Sequence, residues 1–292
     1  MLFLSQLINA LQLGSIYALV ALGYSMVYSI IKLLNFAHGD IIMVGGYIAL
    51  FTLTSGLHPV FAIVFAIIGC IALSMLIERL AYRPLRQAPR ISILITAIGI
   101  SLLLQNLAQY FFSASGRSFP SHLILPPGAV SLGALSISYI TIVTITVSVI
   151  SMVGLTFLVQ KTKLGRAMRA VSEDMEAASL MGVNNNHVIS FTFAVGAALA
   201  GIGAILFATR YPLVTPTMGV LLGLKAFIAA VLGGIGSIPG AVLGGFAVAF
   251  AEVLVTAIGL SSWADGVVFF ILILVLLFKP TGFMGKNLME KV

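Results

Sequence analysis

Long stretches of this chain carry no charge at all, and that constrains its fold more than any motif does. The longest cover residues 1–31, 41–77, 91–116, 118–160, 177–209, 226–251 and 266–278. A helix crosses the hydrocarbon core of a bilayer with about 20 apolar residues, so several of these stretches exceed one crossing. The rest of the chain cannot supply a solvated exterior. Of 292 residues, 60% are hydrophobic and 8% charged, whereas a soluble domain is roughly a quarter charged. The composition therefore excludes a soluble enzyme and predicts an all-α, polytopic transmembrane helix bundle of about eight or nine spans, with 1–292 forming one domain.

Proline and glycine divide the longer runs, because Pro lacks an N–H and clashes with the preceding turn. The expected spans are 5–31, 40–56, 59–82, 91–112, 136–160, 188–208, 218–235, 239–259 and 263–278. Between 218 and 259, Lys225 interrupts one run, and Gly233, Gly234, Gly236, Pro239 and Gly240 interrupt the next. A glycine-broken or re-entrant segment is expected there. Small residues four apart, such as Gly196 with Ala200 and Gly240 with Gly244, suit close helix packing in lipid.

A net charge of +7 would suggest a nucleic-acid ligand in a soluble protein, but here the basic residues cluster between apolar runs. Arg79, Arg83, Arg86 and Arg90 form one group, Lys161, Lys163, Arg166 and Arg169 a second, and Lys279, Lys286 and Lys291 a third. Short loops rich in Lys and Arg stay cytoplasmic. The expected orientation puts 83–90, 161–187 and the C-terminus inside, with the N-terminus and 113–135 outside, and no nucleic acid as partner. No basic residue precedes Lys32, so the charged region of a secretory signal is missing and the first apolar run should persist. The single cysteine, Cys70, excludes a disulfide framework and a cysteine-ligated metal.

Charges within spans are costly unless they face protein or water. Lys225 and Glu252 are the deepest, and either pair to hold the broken region together, the favoured reading, or line a pathway. His38 and Asp40 are expected at the inner interface, with Asp40 as a helix N-cap, and Asp265 is expected to cap the last helix. His58, His122 and His187 fall in separate loops, so no metal site is expected. No H-E-x-x-H, G-x-S-x-G or paired carboxylates occur within a span, so neither catalysis nor a cofactor is expected. An ion-coupled secondary transporter would need more buried carboxylates than Glu252 supplies.

The long inner segment 161–187 reads as a two-faced helix. Met168, Val171, Met175, Ala178 and Gly182 share one face, and Arg166, Arg169, Glu173 and Glu176 lie opposite. A helix resting on membrane lipid would have Lys and Arg dominating its polar face. Here Glu173, Asp174 and Glu176 follow the arginines, and mixed charge suits a protein partner better.

Within this segment Glu176-Ala177-Ala178, three residues and then Gly182 resemble the EAA–x3–G signature of membrane subunits of ATP-binding-cassette importers. That resemblance implies a cytoplasmic element docking on an ATPase, with Arg166, Arg169, Glu173, Asp174, Glu176, Ala177, Ala178 and Gly182 in the coupling surface. Asn184-Asn185-Asn186 stands near where the signature often continues as Ile-x-Leu-Pro. The run Asn35-Phe36-Ala37-His38-Gly39-Asp40, followed by Gly45-Gly46-Tyr47, is similar to the segment after the first helix in branched-chain amino-acid permeases. Leu232-Gly233-Gly234-Ile235-Gly236-Ser237-Ile238-Pro239-Gly240-Ala241, with Gly244-Gly245 and Glu252, is similar to that family's glycine-rich segment. The likeness extends over essentially the whole chain. It implies a high-affinity branched-chain amino-acid importer permease of the H type, in a bacterial inner membrane, with urea and short-amide permeases as relatives. It also implies a homologous second permease, two cytoplasmic ATPase subunits, a periplasmic binding protein and alternating access. On that likeness Asn35, His38, Gly39, Asp40, Gly233, Gly234, Gly236 and Gly240 are family-marker or pathway candidates. The chain has no G-x-x-x-x-G-K-[ST], and Gly233–Gly240 lacks the lysine a phosphate loop requires.

Overall fold

In a computed structural model, described for residues 2–32, 35–86, 88–132 and 135–285, the chain is a polytopic helical membrane bundle. Helices dominate because lipid offers no partner for a free backbone N–H or C=O, and a helix satisfies both internally. In chain order they are α1 (Leu2–Ile31), α2 (His38–Thr54), α3 (Pro59–Ile77, continued by a π-turn at Glu78–Tyr82), α4 (Arg90–Phe112), α5 (Ser121–Ile124), α6 (Tyr139–Lys161), α7 (Lys163–Glu173), α8 (Met175–Leu180), α9 (Asn185–Arg210), α10 (Met218–Gly233), α11 (Ile238–Ala257) and α12 (Ala264–Phe278, entered through a 3-10 turn at Ser261–Trp263). Two small antiparallel ribbons accompany them. β1 (Arg117–Ser118) pairs with β4 (Leu213–Val214), and β2 (Ala129–Leu132) with β3 (Leu135–Ser138).

Local chemistry sets many helix starts. The side chains of His58, Ser138, Thr162, Asp174, Asn184 and Ser237 each accept a hydrogen bond from a first-turn N–H. Pro59 and Pro239 occupy first-turn positions, where a missing N–H costs nothing.

Helix α1 forms the centre, packed by α6, α9, α10 and α11. Backbones approach where Cβ atoms are absent or small: Gly14 lies on Phe246, Gly196 on Gly23, and Gly245 on Ala18. Helices α3, α4, α6 and α12 turn apolar side chains such as Ile68, Leu103, Phe157 and Leu277 outward, as lipid-facing helices do. The bundle has two distinct ends. One carries the turn after α3, the pair α7–α8 and the 234–237 turn, tied by Arg86 donating to Asn186 Oδ1 at 2.5 Å. The other carries both ribbons, tied by Phe119 N donating to Pro212 O at 3.1 Å. Arg83, Arg86, Lys161, Lys163, Arg166, Arg169 and Lys279 gather at the first end. Lys286 and Lys291 lie outside the described residues.

Among the described residues seven helices are long and apolar enough to cross a membrane, and α2 and α10 are shorter. At 1.5 Å per residue, their 17 and 16 residues reach about 25 Å, short of the roughly 30 Å core. Each begins inside the bundle instead. The His38 ring fills the space beside Gly23, next to the Gly196 carbonyl near the middle of α9. Gly39 abuts Gly219 backbone to backbone, so the second residue of α2 meets the second residue of α10. From this junction α2 runs toward the ribbon end, where Phe51 packs on Phe112 with ring centroids 4.8 Å apart. Helix α10 runs the other way, to Leu232 and Gly233, whose carbonyls accept from Phe283 N at 2.8 Å and Met284 N at 2.9 Å.

This corrects the expected place of His38 and Asp40. They are buried within the bundle rather than at an interface, and the N-cap position of α2 is Ala37, with Asp40 in the first turn. Asp265 likewise does not cap α12, whose N-cap position is Trp263. The segment 161–187 is not one helix. At Asp174 the backbone is extended (φ −151°, ψ 111°), ending α7 and starting α8, because the carboxylate caps Glu176 N and Ala177 N at 2.9 Å each.

Candidate functional site

The pair α7–α8 covers the basic end of the bundle. Met168, Val171 and Ala178 (5% exposed) face the chain's own core, so much of the apolar face expected to meet a partner is already occupied. Met175 and Gly182, assigned to that face, are exposed: Met175 opens α8 just after the break at Asp174, and Gly182 lies beyond the end of α8. Arg166, Arg169, Glu173, Glu176 and Ala177 are exposed as well, and Arg169 donates to the Val159 carbonyl. Gly182 has φ +84°, a left-handed conformation natural to glycine after a helix. Sequence reading missed Leu180 and Met181, which are 89% and 85% exposed. Two adjacent large apolar side chains at a polar, basic end form a candidate docking knob.

Lys225 and Glu252 are brought together, with Lys225 Nζ 2.7 Å from Glu252 Oε1. Lys225 also lies 2.6 Å from Asp265 Oδ1, and Tyr17 donates its hydroxyl to Glu252 Oε2 at 2.8 Å. One ammonium thus bridges two carboxylates and ties α1, α10, α11 and α12 together. Gly233 and Gly240 abut across the turn between α10 and α11, and Gly234 and Gly236 have positive φ. These four glycines carry a tight backbone crossing, in which a Cβ at Gly233 would meet the Gly240 carbonyl.

A second buried polar group lies at the π-turn. Glu78 (2% exposed) pairs with Arg86 and accepts from Ser190 Oγ at 2.7 Å. Tyr82 donates to Asn35 Oδ1 at 2.7 Å, linking the turn to the start of α2. The 78–90 spacing alone showed a basic loop, and nothing in it marked Glu78 as buried.

At the α2–α10 junction a cavity of about 250 Å³ opens between α2, α4 and α10. Tyr24, Asp40, Ser101 and Gln105 supply its polar wall, while Phe36, Ile98, Leu102 and Leu224 are apolar. Gln105 Nε2 donates to Asp40 Oδ1 at 3.1 Å and to Ser101 Oγ at 2.9 Å. The structure thus gathers His38, Gly39 and Asp40 near the middle of the bundle, ties Asn35 to the π-turn that ends α3, and places Gly233–Gly240 and the α7–α8 surface at the basic end.

Comparison with known proteins agrees with this architecture. Residues 6–277 match the family described as branched-chain amino acid transport system / permease component. The chain is 44% identical to the high-affinity branched-chain amino acid transport system permease protein BraD of Pseudomonas aeruginosa, across 99% of this chain and 98% of that protein. It is 41% identical, over the same shares, to the corresponding permease protein LivH of Escherichia coli. A probable branched-chain amino acid transport permease protein LivH of Methanocaldococcus jannaschii is 29% identical, over 96% of this chain and 91% of its own length.

Proposed function

The chain belongs to the family of branched-chain amino acid transport system permease components, and from that premise we propose that it is the membrane-spanning subunit of an ATP-driven importer of branched-chain amino acids. The observation that carries this reading is the 41–44% identity over nearly the whole chain to permeases of that system. The importer consists of this chain, a homologous second permease, two cytoplasmic ATPases and a periplasmic binding protein. The chain performs no chemistry and holds no nucleotide site of its own. It sits in a bacterial inner membrane with its basic end in the cytoplasm and its ribbon end and N-terminus in the periplasm, a reading supported by the gathering of Lys and Arg at one end.

Residues 161–187 are the coupling segment. Helices α7 and α8 are anchored by Met168, Val171 and Ala178 and offer Leu180, Met181 and the mixed charges of Arg166, Glu173 and Glu176 to the ATPase. An anchored, protruding segment transmits a push from the ATPase because it cannot yield locally. ATP-driven closure then shifts the bundle between inward- and outward-open states by its differential affinity for the two.

Reconstitution with the partner subunits tests the reading. Leucine uptake into proteoliposomes should require ATP, both ATPases and the binding protein, and urea should not be taken up. Leucine uptake that persists without the ATPase subunits would sink the importer assignment in favour of an ion-coupled carrier.

A further inference from the structure

We propose that the cavity between α2, α4 and α10 is a transit site that holds one amino-acid zwitterion, with its ammonium on Asp40 and its carboxylate toward the start of α10. The inference rests on the importer reading and adds to it the residues that touch the substrate.

Asp40 carries the argument. It is 1% exposed and lines the cavity, yet among the described residues no Lys, Arg or His lies within ion-pair reach of it. The other shielded carboxylates have cations: Glu78 has Arg86, and Glu252 has Lys225, which also reaches the half-exposed Asp265. An ionised carboxylate inside a membrane bundle is costly without a counter-charge. A ligand ammonium supplies one, and Gln105, bonded to both Asp40 and Ser101, holds the acceptor in place.

The opposite charge is accommodated nearby. Helix α10 starts at this junction with Thr217 at its N-cap position, and the Thr217 side chain makes no capping bond. Gly219 and Gly223, packed on Gly39, also line the cavity wall. The partial positive charge of a helix start favours a carboxylate, and half-helix N-termini near mid-membrane serve anionic groups in this way. The Tyr24 hydroxyl lies on the same side, 3.0 Å from where a Cβ on Gly223 would stand. A negative residue and a positive helix end lining one cavity form the charge pattern of a zwitterion, reversed.

The remaining wall suits an apolar side chain, through Phe36, Ile98, Leu102 and Leu224. At about 30 Å³ per water-sized group, 250 Å³ admits roughly eight such groups, the scale of one small amino acid. A neutral amide or urea would leave Asp40 without a cation. Leu102 is half exposed, so the cavity opens on the outer face of α4, where the second permease would close it.

The test uses the complete importer in proteoliposomes. Asp40→Asn keeps size and shape and should slow leucine uptake tenfold or more, since hydrogen bonds to a charged group are worth about that factor or greater, while ATP hydrolysis stimulated by the loaded binding protein persists. In a Cys70→Ser background, Leu102→Cys should react with a small maleimide. Saturating leucine should slow that labelling, 4-methylpentanoate, which lacks the ammonium, should not, and Asp40→Asn should abolish the leucine protection. If wild type imports leucine but Asp40→Asn matches its rate, or leucine leaves labelling at Leu102→Cys unchanged, the site is refuted and the importer reading stands. If wild type imports no leucine under ATP, the importer reading itself fails.

Discussion

Lys225 shows how much one side chain decides inside a membrane. Its ammonium serves Glu252 and Asp265 together, so Lys225→Met strands a carboxylate that is largely shielded from water. Breaking a buried pair by removing one partner costs about 3–5 kcal/mol, and the stability of detergent-solubilised Lys225→Met should fall by that order. Lys225→Met with Glu252→Gln should recover part of the loss, because the shielded carboxylate is then neutral and only the half-exposed Asp265 is left without its cation. Asp265→Asn should cost no more than about 1 kcal/mol, since that carboxylate is roughly half exposed and screened. Additive losses in the double variant would contradict the bridge. Although Asp40 and Glu78 prove more deeply buried, the Lys225 and Glu252 charges within spans were legible from hydropathy. Asp265 was not, because an acid just before a helix reads first as a cap, and only the packing of α12 on α10 aims it at the lysine instead.

At the scale of elements, the α7–α8 pair separates anchor from contact surface. Replacing Leu180 and Met181 together with Asp should leave membrane insertion intact and reduce co-purification of the ATPase at least tenfold. Ala178→Trp should instead disturb the chain's own packing, since Ala178 is only 5% exposed. Unchanged ATPase recovery with the Leu180 and Met181 double variant would move the docking surface elsewhere. Asp174→Ala removes the α8 cap and should cost about 1 kcal/mol of local helix stability, seen as roughly fivefold faster amide exchange over 175–180. The polar face of this segment was readable as a periodic pattern. Its division was hidden because Asp174 scores as one more polar residue on a wheel, while in three dimensions its carboxylate caps the following turn.

For the whole molecule, the prediction concerns sidedness. In a Cys70→Ser background, Ser118→Cys at the ribbon end should react with an impermeant thiol reagent in intact cells shielded only by a permeable outer membrane, and Thr162→Cys at the basic end only after lysis. Labelling of Thr162→Cys from outside would invert the bundle. Charge clustering is enough to support this expectation, because translocation acts on loops, and loops can be read linearly.

The chain's own order of residues determined that it enters a membrane, where most helices begin and end, and which loops share a side. Those outcomes depend on local hydrophobicity, capping and charge, each a property of neighbours in sequence. The tertiary structure alone decided that α2 and α10 start within the bundle. Each looked like an ordinary, slightly short span, and nothing local says that Gly39 will rest on Gly219, about 180 positions later. The same contact leaves Asp40 buried beside a cavity with no cation among the described residues, because a counter-charge is missing only once the neighbours in space have been placed.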